Sequence, residues 1–171
     1  MRRYAITFED VFTRFGLALS TNFHVSLAAA ELFKLYVQVF PCPIKFVLAD
    51  NGLEFKKKFS EELSSLHLQR YYTYPHTPKM NSRCERFNRA VQWRASLAST
   101  KSSLWNDLVR FNELLAGRLL FHNLKRTHYV FDNKQTPIQF ILSLPLQTLT
   151  AECKRGWPHT KLCKTLISMI L

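Results

Sequence analysis

The sequence is poor in cysteine and in acidic residues, and it has no long apolar run. Its four cysteines are Cys42, Cys84, Cys153 and Cys163. No two of them stand at the roughly two-to-four-residue separation of a zinc knuckle, and none pairs with a nearby histidine in finger spacing. They read as buried or incidental thiols of a reducing compartment. No apolar run reaches the ~18 residues of a membrane span, which excludes a membrane-spanning helix. The start, Met1-Arg2-Arg3-Tyr4, passes straight into strand-like sequence without the apolar stretch of a secretory signal, so a cytoplasmic location is expected. Internal repeats and low-complexity segments are lacking as well.

Asp and Glu number 12 against 24 Lys and Arg, for a net charge of +12 and a pI near 9.8. Such an excess draws a protein to polyanions, nucleic acid first among them, although ribosomal and membrane-surface proteins share it. The remaining composition, 47% apolar and 21% charged over 171 residues, is that of one folded domain with a real core.

Along the chain, residues 4–20 predict two strands joined at a tight turn, rich in β-branched and aromatic side chains. Residues 25–39 predict a helix, with Leu27, Ala30, Leu32, Leu35, Tyr36 and Val39 on one broad face, ended by Pro41 and Pro43. Ile44 to Ala49 is a short apolar run of the kind buried on both faces of a sheet, closed by Asp50-Asn51-Gly52 as a turn. A helix over about 54–66 and a strand over about 68–74 follow. A loop bracketed by Pro75 and Pro78 leads to a longer helix from Asn81, and residues 104–125 carry further helical pattern through Leu104, Leu108, Phe111, Leu115 and Leu119. Beyond about 132 the sequence is less regular. The order β-β-α-β-α-β-α predicts a mixed α/β fold.

Two carboxylates stand out. Asp50 ends the most apolar strand, at the sheet edge where ligands collect in open α/β folds; Asp-Asn-Gly is equally a good turn sequence. Glu85 falls in the first turns of the helix from Asn81. There Cys84, Phe87, Val91 and Ala95 form an apolar face, and Asn81, Glu85, Arg89 and Gln92 a polar stripe. Five basic residues, Lys79, Arg83, Arg86, Arg89 and Arg94, surround this one acid. Glu85 is thus a candidate metal ligand beside a phosphate-binding face, or one half of an i,i+4 ion pair with Arg89. Lys56-Lys57-Lys58 is either a further phosphate contact or a solvated helix start.

The segments V-L-A-D-N-G-L-E-F and T-Y-P-H-T-P-K-M-N-S-R-C-E-R-F-N-R resemble the last two catalytic blocks of DDE-type, retroviral-integrase-like transposases. The order of the blocks matches, and 34 residues lie between Asp50 and Glu85. Y-A-I-T-F-E-D-V-F-T-R-F is similar to the family's second strand and turn, and H-N-L-K-R-T-H-Y-V-F with Thr136-Pro137-Ile138 to its closing blocks. The nearest likeness is to integrase-core transposases of bacterial insertion sequences.

This resemblance implies an α/β, RNase H-like integrase core over 1–142, a mixed sheet flanked by helices, followed by an irregular tail over 143–171. It implies metal-dependent phosphoryl transfer at transposon ends, with three carboxylates holding two Mg²⁺ or Mn²⁺ ions about 4 Å apart. Asp50 would be the second carboxylate and Glu85 the third. Asn51 and Gly52 would shape the turn, and Lys79, Asn81, Arg83, Arg86 and Arg89 would lie against DNA. The implied partners are transposon-end and target DNA, with a homo-oligomer on DNA and no membrane. The family's first carboxylate stands on a central strand upstream of the one that Tyr4–Asp10 resembles, so that strand is expected to be missing, leaving two open edges in mid-sheet. Asp10 matches a turn position that binds no metal. Thr127 and His122 replace the usual Pro and Tyr, and Ser82 and Cys84 also depart from the pattern. A relic that retains at most nonspecific DNA binding, or a longer protein whose start codon is misassigned, would account for the missing block.

Overall fold

A computed structural model describes residues 3–22, 26–49, 52–72, 85–91, 107–145, 162–165 and 168–170. β1 (Arg3–Glu9) and β2 (Gly16–Thr21) form an antiparallel hairpin, in register from Tyr4 opposite Thr21 to Glu9 opposite Gly16. After α1 (Ser26–Val39) comes β3 (Phe46–Ala49), which pairs in parallel with β4 (Gln69–Tyr72). Between these strands lie a 3-10 turn, Leu53–Phe55, and α2 (Lys58–Ser65). The predicted single helix over 54–66 is therefore broken, because Lys57 takes a left-handed backbone (φ 46°) at the join. α3 (85–91) and α4 (Leu108–Leu124) follow, then a 3-10 turn at Tyr129–Phe131 and α5 (Pro137–Ser143).

β1 is buried along its length from Ala5 to Glu9 because helices cover both of its faces. Ile6 and Phe8 enter a core with Phe33, Tyr36, Val47, Phe55, Phe59 and Ile141. This layer is dominated by aromatic rings: Phe8 lies 5.4 Å from Phe33 and 5.7 Å from Tyr36, within the range where ring quadrupoles attract. On the alternate face a smaller cluster, Ala18, Phe87, Val91, Leu115 and Leu119, packs α3 and α4 against the hairpin. Thr7, which faces the same way, donates from Oγ1 to the Asn88 side chain at 2.7 Å, fastening α3 to β1.

The predicted face of α1 holds at Ala30, Leu32 and Tyr36, which are buried, and is corrected at its other three positions. Leu27, Leu35 and Val39 are exposed, and the buried stripe is Ala29, Ala30, Leu32, Phe33 and Tyr36. Rotating the helix this way puts Phe33 under β1, which buries more apolar area than Leu35 would.

The tail expected to be irregular supplies two strands. β5 (Leu162–Thr165) pairs in parallel with β3, and β6 (Ser168–Ile170) pairs antiparallel with β1. The sheets run β2-β1-β6 and β4-β3-β5. One C-terminal segment thus pairs with β1 and with β3 along edges that would otherwise stand open, which removes an aggregation-prone arrangement.

Candidate nucleic-acid interface

α3 owes its placement to its buried side. Phe87, Asn88 and Val91 are inside, so Glu85, Arg86 and Arg89 are turned to solvent. A helix held by core contacts and by the Thr7–Asn88 hydrogen bond presents these charges on a fixed base. Of the residues expected at the site, Asp50, Asn51, Lys79, Asn81 and Arg83 lie outside the described residues. Gly52 is described: a Cβ there would overlap the Glu54 carboxylate, which folds back beneath it and is buried. Lys56, Lys57 and Lys58 are exposed at the start of α2, and Lys58 pairs with Glu61 at 2.8 Å.

Asp10 organises a turn, as expected. It is buried, and its Oδ2 accepts hydrogen bonds at 2.6 Å from both the amide and the hydroxyl of Thr13. Burial raises the pKa of this carboxyl, and the two Thr13 hydrogen bonds lower it in part. Among the described residues no group of three His, Cys, Asp or Glu could hold a metal ion. Two hard divalent ions need several oxygen ligands, and of the two expected ligands the described residues include only Glu85, which is exposed.

A constellation that sequence reasoning missed lies beside α3. Glu9, Arg14, Arg86, Phe87, Ala90, His122, Arg126, His128 and Tyr129 surround a cavity of about 130 Å³. Besides α3, which supplies Arg86, Phe87 and Ala90, three chain segments build it. The β1–β2 turn contributes Arg14, held in the left-handed region at φ 62°, a conformation that costs an L-residue about 1–2 kcal/mol. The end of α4 contributes His122, whose Nε2 donates to the Arg14 carbonyl oxygen at 3.0 Å. The following loop brings Arg126, His128 and Tyr129. The imidazoles of His122 and His128 meet edge to face at 4.8 Å, and His122 also packs on Phe87 at 5.0 Å.

Burial lowers both histidine pKa values to about 4, with the positive fields of Arg126 and Arg14 acting in the same direction. Both rings are therefore neutral at pH 7. These side chains stood in the quoted blocks F-T-R-F and H-N-L-K-R-T-H, but more than a hundred residues apart, and no local spacing joins them.

The fold is that of known integrase cores. The chain superposes on the catalytic core domain of BIV integrase with a TM-score of 0.60 and 18% identity, over 80% of this chain and 84% of that one. A chain of the simian T-cell lymphotropic virus intasome, solved in complex with PP2A regulatory subunit B56 gamma, gives a TM-score of 0.64 at 15% identity. That match covers 91% of this chain but only 51% of the other. At such identities the likeness establishes an α/β fold related to the RNase H-like integrase cores. No family model matches the chain, and no curated protein matches it. No helix among the described residues is long and apolar enough to cross a membrane.

Proposed function

We propose that this chain is a DNA-binding relative of the DDE integrase cores that grips backbone phosphates through the basic segment 79–94. The observation that carries this reading is α3, which buries Phe87, Asn88 and Val91 and turns Arg86 and Arg89 outward. The net charge of +12 supports it, since contacts to phosphates position a protein on DNA without reading its sequence. Lys79, Asn81 and Arg83 extend the same surface in this proposal, and the protein acts on DNA as a homo-oligomer.

The test is duplex DNA binding by the 171-residue chain as a function of salt. Binding should be tolerant of sequence, and log K should fall linearly with log salt. Arg86→Gln and Arg89→Gln should each weaken it, whereas Glu85→Gln and Asp50→Asn should leave it intact or slightly tightened. Absence of salt-dependent binding would sink the proposal.

A second reading is favoured by the spacing of Asp50 and Glu85 within blocks that resemble catalytic ones: a DNA strand transferase dependent on Mg²⁺ or Mn²⁺ in which these two are ligands and Asn51 and Gly52 shape the turn. It predicts metal-dependent nicking of transposon-end DNA that Glu85→Gln abolishes, and nicking that survives this substitution would rule it out.

A further inference from the structure

Between the β1–β2 turn, the flank of α3 and the loop after α4, three arginines, Arg14, Arg86 and Arg126, line one cavity together with a single acidic residue, Glu9. We propose that this cavity, bounded by Arg14, Arg86, Arg126, His122 and His128, is a binding site for a phosphate group, carried by a nucleic-acid backbone or by a free phosphate ester. Arg14 and His122 are buried in its floor, while Arg86, Arg126 and Tyr129 stand exposed at its mouth, so the site is both preformed and open. Counting three arginines against Glu9, with both histidines neutral, leaves two net positive charges facing a space of about 130 Å³. That volume is ample for a tetrahedral oxyanion.

The chemistry of the wall selects the ligand. Guanidinium forks match the oxygens of a phosphate and repel a metal cation. His128 adds an unused polar atom, since its Nε2 is buried and finds no hydrogen-bond partner among the described residues. The ring's other nitrogen is hydrogen-bonded to the His122 backbone, so a bound phosphate would favour a second proton on the ring, and Nε2 would then donate to a phosphate oxygen. A planar carboxylate offers two oxygens to donors that converge from three chain segments, whereas a phosphate offers up to four. Because Arg86 directly follows Glu85 on α3, a phosphate held here would lie along the flank of that helix. The site does not depend on the DNA-binding proposal, since a free phosphate ester would occupy it equally.

The experiment titrates inorganic phosphate into the full chain at constant ionic strength and follows the ring resonances of His122 and His128. Saturable shifts of both rings are expected with phosphate and not with acetate or chloride. Arg126→Gln and Arg86→Gln, both at exposed positions, should keep the wild-type thermal melt and each weaken phosphate by about tenfold or more. Equal shifts with acetate or chloride, or affinities untouched by both substitutions, would overturn the site.

Duplex DNA is then added to the phosphate-saturated protein. Displacement of phosphate identifies the nucleic-acid backbone as the source. DNA that binds without displacing it identifies a free phosphate ester, and the site stands in both cases. Failure of DNA to bind at all, with phosphate binding intact, would count against the DNA-binding proposal alone.

Discussion

Asn123 holds Gly16 by both of its backbone polar groups, accepting from the Gly16 amide at 3.0 Å and donating to its carbonyl oxygen at 2.8 Å. Eleven residues earlier on α4, Asn112 does the same to Ser20, at 2.8 Å and 3.0 Å. β2 is the outer strand of its sheet, and its free edge would otherwise offer unpaired amides and carbonyls to another chain. Three turns of helix separate the two asparagines, about the distance that four residues span along the strand. α4 thus closes the edge of β2 with two side-chain amides.

Asn123→Ala should therefore destabilise the protein by about 2–4 kcal/mol, since it leaves a buried donor and a buried acceptor without partners. Asn112→Ala should cost less, because the Ser20 contacts are only partly buried. Urea denaturation of both variants measures the difference. Equal and negligible losses would show that water replaces these amides.

Gly16 is constrained from a second side. A Cβ on this residue would overlap the Phe87 ring, in the contact that seats α3 on the hairpin. Gly16→Ala should cost about 1–3 kcal/mol through overpacking. The additional substitution Phe87→Leu should return part of this loss, because the two positions share one contact. The readout is a double-mutant cycle by urea unfolding, and strict additivity would contradict the geometry.

The C-terminal strands make a separate prediction. Ending the chain at residue 145 would remove β5 and β6 and uncover the edges of β1 and β3. Such a variant should melt at lower temperature and self-associate, as open central edges do. Sedimentation and thermal melting test this, and a monomer with the wild-type melt would show that the pairing contributes nothing.

Much of this architecture was legible in the sequence, and what was not has identifiable causes. The hairpin, α1, β3 and the α4 periodicity through Phe111, Leu115 and Leu119 were plain, because each buries one face at the period of its element. On α1, Leu27, Leu35 and Val39 are exposed against expectation because apolar residues occur on both sides of the helix, and the ring of Phe33 decided which went inward.

α5 carries a local signal within a stretch that otherwise reads as irregular. Thr136 and Gln139 form a reciprocal capping box with Pro137 in the first turn. The two edge-capping asparagines and the arginine cavity had no such signal. Their partners are 92 and 107 residues away in the first case and spread over three segments in the second, and only tertiary packing brings them together. Of the carboxylates, Glu85 was placed on a helix surface as its stripe suggested.

The paired imidazoles give the last prediction, a loss of stability in mild acid. His122 has a folded pKa of about 4 against an ordinary 6.5, with burial the main cause. Between these values the unfolded chain takes up a proton that the folded chain refuses. The stabilisation is complete above pH 6.5, declines as pH falls, and is gone below about 4.

For His122 the effect is on the order of 3 kcal/mol. His128, lowered to a similar value but less buried, adds a smaller amount. Asp10 works in the opposite direction, because its raised pKa lets the folded state bind a proton first, so it offsets part of the loss at the acid end. Urea unfolding at pH 7, 5.5 and 4.5 should show a steady fall, and His122→Asn should flatten it while lowering stability at pH 7. A wild-type free energy constant from pH 7 to 4.5 would mean that the two rings are charged and solvated in the folded protein.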